Sequence, residues 1–106
     1  MDEKEKTFWD IDIRSGTVEF DDISLLPDDF KVDDHIDFLK EDMLQITYPG
    51  GAIIDVGWRP SFDRNGCFRC VLIRDGDWDH PLSDIEACDV VATKQALAWL
   101  VKDASR

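Results

Sequence analysis

The sequence predicts an α+β domain in which a mostly antiparallel sheet of about four to six strands packs with two helices. Three observations predict it: short runs alternate apolar and polar residues with the period of a strand, turns rich in glycine separate several of them, and the last run has helical periodicity. The predicted order is β-β-α-β-β-β-(β)-α. The chain has 106 residues, so we expect one domain over 1–106, with a flexible tail at 1–6.

The first part of the chain predicts a hairpin and a short helix. Residues 7–14 alternate apolar and polar side chains, which predicts a half-buried strand. A turn at Ser15 and Gly16 leads to a predicted returning strand over 17–20. After an acidic loop, Asp33 begins a run whose negative charge favours a helix start, and we expect a helix over about 33–42.

The second part predicts three consecutive strands, over 43–48, 52–59 and 67–74. Glycine-containing turns separate them, because glycine adopts positive φ without steric cost. Residues 85–91 indicate a further short edge strand. The expected N-cap of the final helix is Thr93. The apolar stripe of that helix consists of Ala96, Leu97, Leu100 and Val101.

The composition is strongly acidic, with 24 acidic against 12 basic residues and a formal net charge of −12. Such a surface repels phosphate groups, so we expect no direct binding to nucleic acid or to an anionic membrane. Self-repulsion also destabilises a compact fold. One use that offsets this cost is the capture of a basic protein partner, because a negative surface accelerates the encounter.

The three cysteines are an odd and low number, which predicts reduced thiols and a cytoplasmic location. Cys67 and Cys70 match C-x-x-C, but residues three apart on a strand point to opposite faces, so we expect inert thiols. The other candidate zinc ligands, Cys88, His35 and His80, have irregular spacing. We therefore expect neither a metal nor another cofactor.

No arrangement in the sequence predicts catalysis. The chain has no nucleophile elbow, no paired metal-binding histidines and no phosphate-binding glycine loop. Asp10 and Asp12 are paired carboxylates of the type that a hydrolase uses, but they share one face of a predicted strand in a chain full of acids. We expect a protein that is not an enzyme, and a hydrolase without a recognisable signature stays as an alternative.

The segment 75–86 has acidic or hydroxyl side chains at the oxygen-ligand positions of an EF-hand calcium loop. His80, however, stands where the sharp turn of that loop needs glycine, and Pro81 follows it. The residues before the loop also read as a strand rather than a helix. A small calcium-binding module over 75–86 is kept as an alternative function.

Trp78 stands between Asp77 and Asp79. A tryptophan ring can anchor a protein–protein contact, and the neighbouring carboxylates can pair with lysine or arginine. The alternative interpretation is that Trp78 packs in the core.

A family resemblance rests on the runs 43–49, 54–60, 66–68, 71–73 and 77–82 and on the closing helix at 97–100. Over 43–102 this pattern resembles the small bacterial immunity proteins of contact-dependent growth-inhibition and related polymorphic toxin systems. The resemblance implies a cytoplasmic inhibitor that binds the C-terminal domain of its cognate toxin and blocks its active site or substrate cleft. Many such toxins are nucleases with basic clefts, and the resemblance implies no catalytic residue in this chain.

The leading hypothesis is an immunity protein that neutralises a basic toxin, expected to be a nuclease, by tight binding. The predicted toxin-binding residues are Asp10, Asp12, Asp55, Asp63, Asp75, Asp77, Trp78 and Asp79. An acidic adaptor or nucleic-acid mimic that acts on a host protein is a further alternative.

Overall fold

The structure is a computed structural model, and it describes Trp9 and residues 11–105. Five strands in this part form an antiparallel sheet in which each strand lies beside its neighbour in sequence. Two helices accompany the sheet, and a 3-10 turn at Ile36–Phe38 follows the first of them. The elements are β1 (Thr17–Asp21), α1 (Val32–His35), β2 (Leu44–Thr47), β3 (Ala52–Arg59), β4 (Cys67–Arg74), β5 (Ser83–Ala87) and α2 (Val90–Ala104). The predicted α+β class is confirmed, with the elements in the predicted order.

The hydrophobic core lies between one face of the sheet and α2, which contacts β3, β4 and β5. The whole predicted apolar stripe of α2 is buried. On the strands, alternate residues such as Ile54, Val56 and Leu72 point into this core and are almost completely buried. Trp58 and Phe68 face each other across β3 and β4, with ring centroids 4.9 Å apart in an edge-to-face arrangement. The alternation of apolar and polar residues in the sequence therefore corresponds to a sheet that packs one face against the core.

The sheet face opposite α2, here called the second face, carries the remaining strand residues. Asp55 on β3 is opposite Val71 on β4, which is opposite Asp84 on β5. These three residues are only partly buried or exposed. The second face is consequently where the strands present charged groups to solvent.

The predicted strand over 7–14 is wrong for the residues that the structure describes, because 11–14 form no strand. The indole Nε1 of Trp9 donates a hydrogen bond to the carbonyl oxygen of Leu26 at 3.0 Å. Ile13 is buried in the core, and its carbonyl accepts from the amide of Gly16 in the predicted turn. The apolar alternation thus reflects burial without sheet pairing; residues 7, 8 and 10 lie outside the described part.

The predicted helix over 33–42 is shorter than expected, since the helical turns end at Phe38. Leu39 is completely buried and leaves the helical path to reach the core. The carbonyl of Lys40 then accepts a hydrogen bond from the amide of Trp58 at 2.8 Å, so the chain runs along the edge of β3. Pairing with the sheet competes with continuation of the helix and wins.

The junction between β5 and α2 lies earlier than predicted. The expected strand over 85–91 is β5, which ends at Ala87, and the N-cap of α2 is Asp89 rather than Thr93. The Asp89 carboxylate accepts a hydrogen bond from the amide of Ala92 at 2.7 Å. Thr93 instead donates its hydroxyl to the Asp89 carbonyl at 2.8 Å. Aspartate is a strong N-cap because its carboxylate satisfies an unpaired amide and favours the positive helix end.

Cys67 and Cys88 form a disulfide, which corrects the prediction that all three cysteines are reduced thiols. Antiparallel pairing of β5 with β4 returns Cys88 to the start of β4, where the two Cα atoms are 4.6 Å apart. Cys70 is a free, completely buried thiol, as predicted, and burial raises its pKa to about 12. Disulfides are typical of oxidising compartments, so one premise of the predicted cytoplasmic location does not hold.

In the part of the chain that the structure covers, neither helix has the length and apolar character needed to cross a membrane.

Candidate functional site

The connection between β4 and β5, residues 75–82, is called the acidic loop below. Asp75 and Gly76 have φ values of +57° and +75°, which turn the chain sharply at the end of β4. The amide of Asp75 donates to the carbonyl of Gly51 at 2.9 Å, and the amide of Asp77 donates to the carbonyl of Arg74 at 3.2 Å. The first bond ties the base of the loop to the turn between β2 and β3, and the second closes the turn at the end of β4, so the side chains of the loop project from an ordered base.

Trp78 is 50% exposed at the tip of the acidic loop. The alternative that it packs in the core is therefore wrong. Asp77 and Asp79 on either side of it are exposed as well. A large ring with carboxylates on both sides is a combination that can bury apolar area and pair with cations in a single contact.

The carboxylates of the acidic loop have no lysine or arginine partner among the described residues. The guanidinium of Arg74, at the end of β4, donates to the carbonyl of Gly50, and the ion pairs of lysine and arginine in the described part lie elsewhere. The ion pairs are Lys40–Asp22, Arg64–Asp33, Arg69–Asp84 and Lys94–Asp28. Within the loop, the Asp77 carboxylate lies 3.1 Å from Nδ1 of His80. The negative charge of the loop is thus available to an external cation.

Asp12 lies at the same end of the sheet as the acidic loop. Its carboxylate accepts a hydrogen bond from the amide of Arg14 at 2.9 Å, and Arg14 reaches the hydroxyl of Ser105 just after α2. Both Asp12 and Arg14 also act electrostatically on the phenol of Tyr48, next to the turn that supports the loop. Asp10 lies outside the described residues.

Asp55 lies on the second face rather than beside the acidic loop. Its carboxylate accepts a hydrogen bond from Nε2 of Gln45 on β2 at 3.2 Å. Burial raises the pKa of Asp55 above 3.8, and the nearby charge of Asp42 raises it further, while the hydrogen bond from Gln45 and the charge of Arg59 lower it. This aspartate is held by the sheet and is less accessible than those of the loop.

Asp63 lies at the opposite end of the sheet, in the connection between β3 and β4. Its carbonyl accepts a hydrogen bond from the indole of Trp58 at 2.8 Å, and its carboxylate accepts from the amide of Asn65 at 2.8 Å. The eight residues of β4 separate this connection from the acidic loop by about 25 Å. The predicted binding residues therefore divide among two ends and one face of the sheet.

The segment with calcium-loop spacing does not have the surroundings of a calcium loop. Strands β4 and β5 flank it in place of two helices. Glu86, at the last ligand position, belongs to β5 and is opposite Arg69 on the second face. Among residues 11–105 and Trp9, no three His, Cys, Asp or Glu side chains come together in a way that would hold a metal ion.

A shallow depression of about 380 Å³ lies on the second face. It is lined by Arg59, Cys67, Arg69, Asp84 and Glu86. Nε of Arg69 donates to the Asp84 carboxylate at 2.8 Å, and a second guanidinium nitrogen donates to its other oxygen. This bond lowers the pKa of Asp84 and raises that of Arg69. The two charged groups hold each other in the ionised form, which suits an ion pair and not proton transfer near neutral pH.

Sequence analysis did not identify two exposed aromatic residues, Phe38 and Phe62, which are 51% and 56% exposed. Phe38 falls within the predicted helix over 33–42, and Phe62 stands in a turn without periodicity. The amide of Phe62 donates to the carbonyl of Leu39 at 2.6 Å, so the fold brings the two segments together. Only the tertiary pairing of these segments shows that both rings face solvent.

Comparison with known proteins gives no relative: no family description matches the chain, and neither the curated proteins nor the solved structures include a significant match.

Proposed function

We propose that this protein binds and neutralises a basic protein partner through the acidic loop, as an immunity protein does with its cognate toxin. The observation that carries the proposal is the half-exposed ring of Trp78 between two exposed carboxylates. Tryptophan is a frequent energetic centre of protein–protein contacts, and water exclusion around such a ring strengthens the neighbouring ion pairs. A basic partner would bury the ring and neutralise the loop together.

Two further features support a binding role. A backbone hydrogen bond ties the base of the loop to the turn between β2 and β3, and others close turns within the loop, so little ordering is needed when a partner binds. The net charge of −12 attracts a basic partner over long distances and increases the rate of association. A rigid anchor with a strong surrounding field suits a fast and tight inhibitor.

The proposed partner is the C-terminal domain of a toxin whose substrate cleft is basic, as in a nuclease. The acidic loop would occupy the place of a nucleic-acid backbone and block the cleft. In this proposal the chain has no catalytic role and uses no cofactor, because inhibition requires only occupancy of the cleft.

The proposal retains the cytoplasm as the place of action, because that is where a nuclease toxin meets nucleic acid. The Cys67–Cys88 disulfide is uncommon for that compartment unless it forms transiently or responds to redox conditions. Rapid alkylation of cells followed by mass measurement of the protein reports the state of the two cysteines directly. A disulfide that is fully closed in the protein from intact cells would contradict the cytoplasmic location.

The test is co-expression with the gene immediately upstream in the genome. We expect that its product is basic, that it stops growth when expressed alone, and that this protein restores growth and co-purifies with it. Replacement of Trp78 by alanine should weaken the complex about 30-fold, the equivalent of roughly 2 kcal/mol for an interface centre. Asp77→Lys should mainly slow association.

Matched control variants distinguish a specific role of the acidic loop from the general effect of losing an aromatic ring or reversing a charge. Trp99 is 66% exposed on α2, so Trp99→Ala removes an indole that is more exposed than that of Trp78 and should leave the complex unchanged. Asp29→Lys makes the same charge change as Asp77→Lys on another exposed segment. Equal effects of the loop and control variants would place the interface elsewhere, and a harmless upstream product would reject the immunity function.

A further inference from the structure

The connection between β3 and β4 lies against the helical segment that contains α1. The amide of Phe62 donates to the carbonyl of Leu39 at 2.6 Å, and the Arg64 guanidinium pairs with Asp33 on α1 at 2.9 Å. The backbone at Phe62 is therefore bonded to the residue that directly follows Phe38, although 24 positions separate the two phenylalanines in sequence. Each ring exposes about half of its surface.

The backbone at Phe62 is unusual for an aromatic residue, because its φ is +58°. Glycine adopts this conformation without a steric cost, whereas a residue with a bulky side chain is strained there by about 1 kcal/mol or more. The ring of Phe62 is half-exposed, so burial in the core recovers little of this cost. Fold stability alone would favour glycine at this position.

Unpaired carboxylates lie in the segment of the chain that contains Phe38. Asp34, Asp37, Glu41 and Asp42 are exposed and have no lysine or arginine partner among the residues described. Of the cations in these segments, Lys40 and Arg64 pair with Asp22 and Asp33, whereas Lys31 and Arg59 are exposed without a carboxylate partner among the described residues. The surface around the rings thus has apolar area at its centre and an excess of free negative charge at its rim.

We propose that Phe38 and Phe62, with the carboxylates at 34–42, form a second docking surface, called the phenylalanine surface, for a cationic and partly apolar segment of a partner protein. The two rings bury apolar side chains of that segment, and the rim carboxylates pair with its lysine or arginine residues. This surface is about 25 Å from the acidic loop, at the other end of β4, so the inference goes beyond the proposed function and stands without it.

The experiment uses a synthetic amphipathic helix made of lysine and leucine as the probe, titrated into the full chain labelled with ¹⁵N. We expect amide shifts at 37–41 and 61–64. Replacement of both phenylalanines by serine, Phe38→Ser with Phe62→Ser, should weaken binding about tenfold or more, because the apolar centre is lost. Both positions are exposed, so the double variant should keep the circular dichroism spectrum and melting temperature of the wild type.

Two comparisons test the specificity of the result. Trp99→Ser, at another exposed aromatic residue, should leave the affinity for the probe unchanged. A helix of lysine and alanine should bind several-fold more weakly than the lysine–leucine helix, because it lacks the apolar side chains. Shifts confined to the acidic loop, or equal binding by the double serine variant, would overturn the proposal while leaving the proposed function intact.

Sedimentation of the free protein tests the competing occupant, a second copy of this chain. We expect a monomer at all concentrations, because two copies with a charge of −12 each repel one another. A dimer that the double serine variant abolishes would assign the phenylalanine surface to self-association and reject the basic partner.

Discussion

Gly57 lies on β3 at a point where another part of the backbone passes very close to the strand. A Cβ atom at this position would lie 1.7 Å from the carbonyl oxygen of Glu41. The absence of a side chain lets residues 40–43 run beside β3, with hydrogen bonds from the amide of Trp58 to Lys40 and from the amide of Met43 to Val56. Gly57 thereby permits the close approach of the segment that follows Phe38.

Replacement of Gly57 by alanine should destabilise the protein by about 3 kcal/mol, because the methyl group and the Glu41 carbonyl cannot both keep their positions. Urea denaturation followed by tryptophan fluorescence measures the change in the free energy of unfolding. Gly50→Ala is the matched control, since its Cβ would find only the end of the Arg74 side chain at 3.7 Å. Equal stability of the two variants would mean that the segment at 40–43 can move away without cost.

Asp55 is a residue at which charge and burial conflict. Its carboxyl has a raised pKa, chiefly because burial disfavours the ionised form. When the pKa of a carboxyl is higher in the folded than in the unfolded protein, folding favours the protonated form. The resulting gain in the free energy of unfolding is complete below the unfolded-state pKa and is lost as the pH rises through the folded-state pKa. At neutral pH the ionised Asp55 therefore costs stability.

Asp55→Asn should raise the free energy of unfolding at pH 7 by less than about 1 kcal/mol, after allowance for solvent screening of a half-exposed group. The amide oxygen of asparagine can still accept the hydrogen bond from Gln45. The gain over wild type should shrink as the pH falls through the raised pKa towards 3.8. Urea denaturation of the wild type and of Asp55→Asn from pH 3.5 to 7 measures this gain, with Asp29→Asn as the control at an exposed position. A gain in stability that does not change with pH would contradict the prediction.

At the scale of elements, the unit formed by β4, β5 and α2 combines three kinds of stabilisation. The strands pair antiparallel, the disulfide connects Cys67 at the start of β4 with Cys88 after β5, and Asp89 caps the next helix. The bond encloses the acidic loop in a closed ring with a sequence separation of 21 residues. It therefore limits the freedom of the loop that carries Trp78 in the unfolded chain.

Replacement of Cys67 and Cys88 by alanine should lower the free energy of unfolding by about 3 kcal/mol. This is the stabilisation expected when a disulfide closes a loop of this length and so reduces the entropy of the unfolded chain. Thermal unfolding with and without dithiothreitol measures the effect. The reductant should lower the melting temperature of the wild type and leave that of the double variant unchanged, since the remaining Cys70 is buried and free. An effect of the reductant on both proteins would contradict the assignment.

At the scale of the whole molecule, the dominant property is the net charge of −12. The ion pairs of the described part are exposed or half-exposed and stabilise the fold only slightly. Two ends of the sheet carry unpaired carboxylates beside exposed aromatic rings, at the acidic loop and at the phenylalanine surface. The free molecule thus retains repulsion between its carboxylates, and a basic partner would reduce that repulsion on binding.

Salt should stabilise the free protein, because it screens this repulsion. The screening length falls from about 30 Å at 0.01 M to about 8 Å at 0.15 M ionic strength. We expect the melting temperature to rise by about 3–8 °C between these conditions, the equivalent of roughly 1 kcal/mol. Sodium chloride and choline chloride should act alike, which excludes binding of a specific cation, and a fall in melting temperature with salt would contradict the argument.

Much of the fold follows from local pattern. The alternation at Ile54, Val56 and Trp58 predicts β3 and its buried face, and the helical spacing of Leu97 and Leu100 predicts α2, because each period places apolar groups on one side of an element. The candidate site was predicted in part: the loop and its acids follow from sequence. The exposure of Trp78 does not, since a tryptophan in an acidic loop suits either the core or the surface.

The sequence by itself determined the α+β class, the antiparallel sheet, the final helix and the excess of negative charge, since periodicity and composition are local or additive properties. Tertiary structure alone decided the Cys67–Cys88 pairing, the early end of the first helical segment and the meeting of Phe38 with the Phe62 connection. These features depend on which distant segments the sheet brings together. That outcome is set by packing of the whole core and is not encoded in any single run of residues.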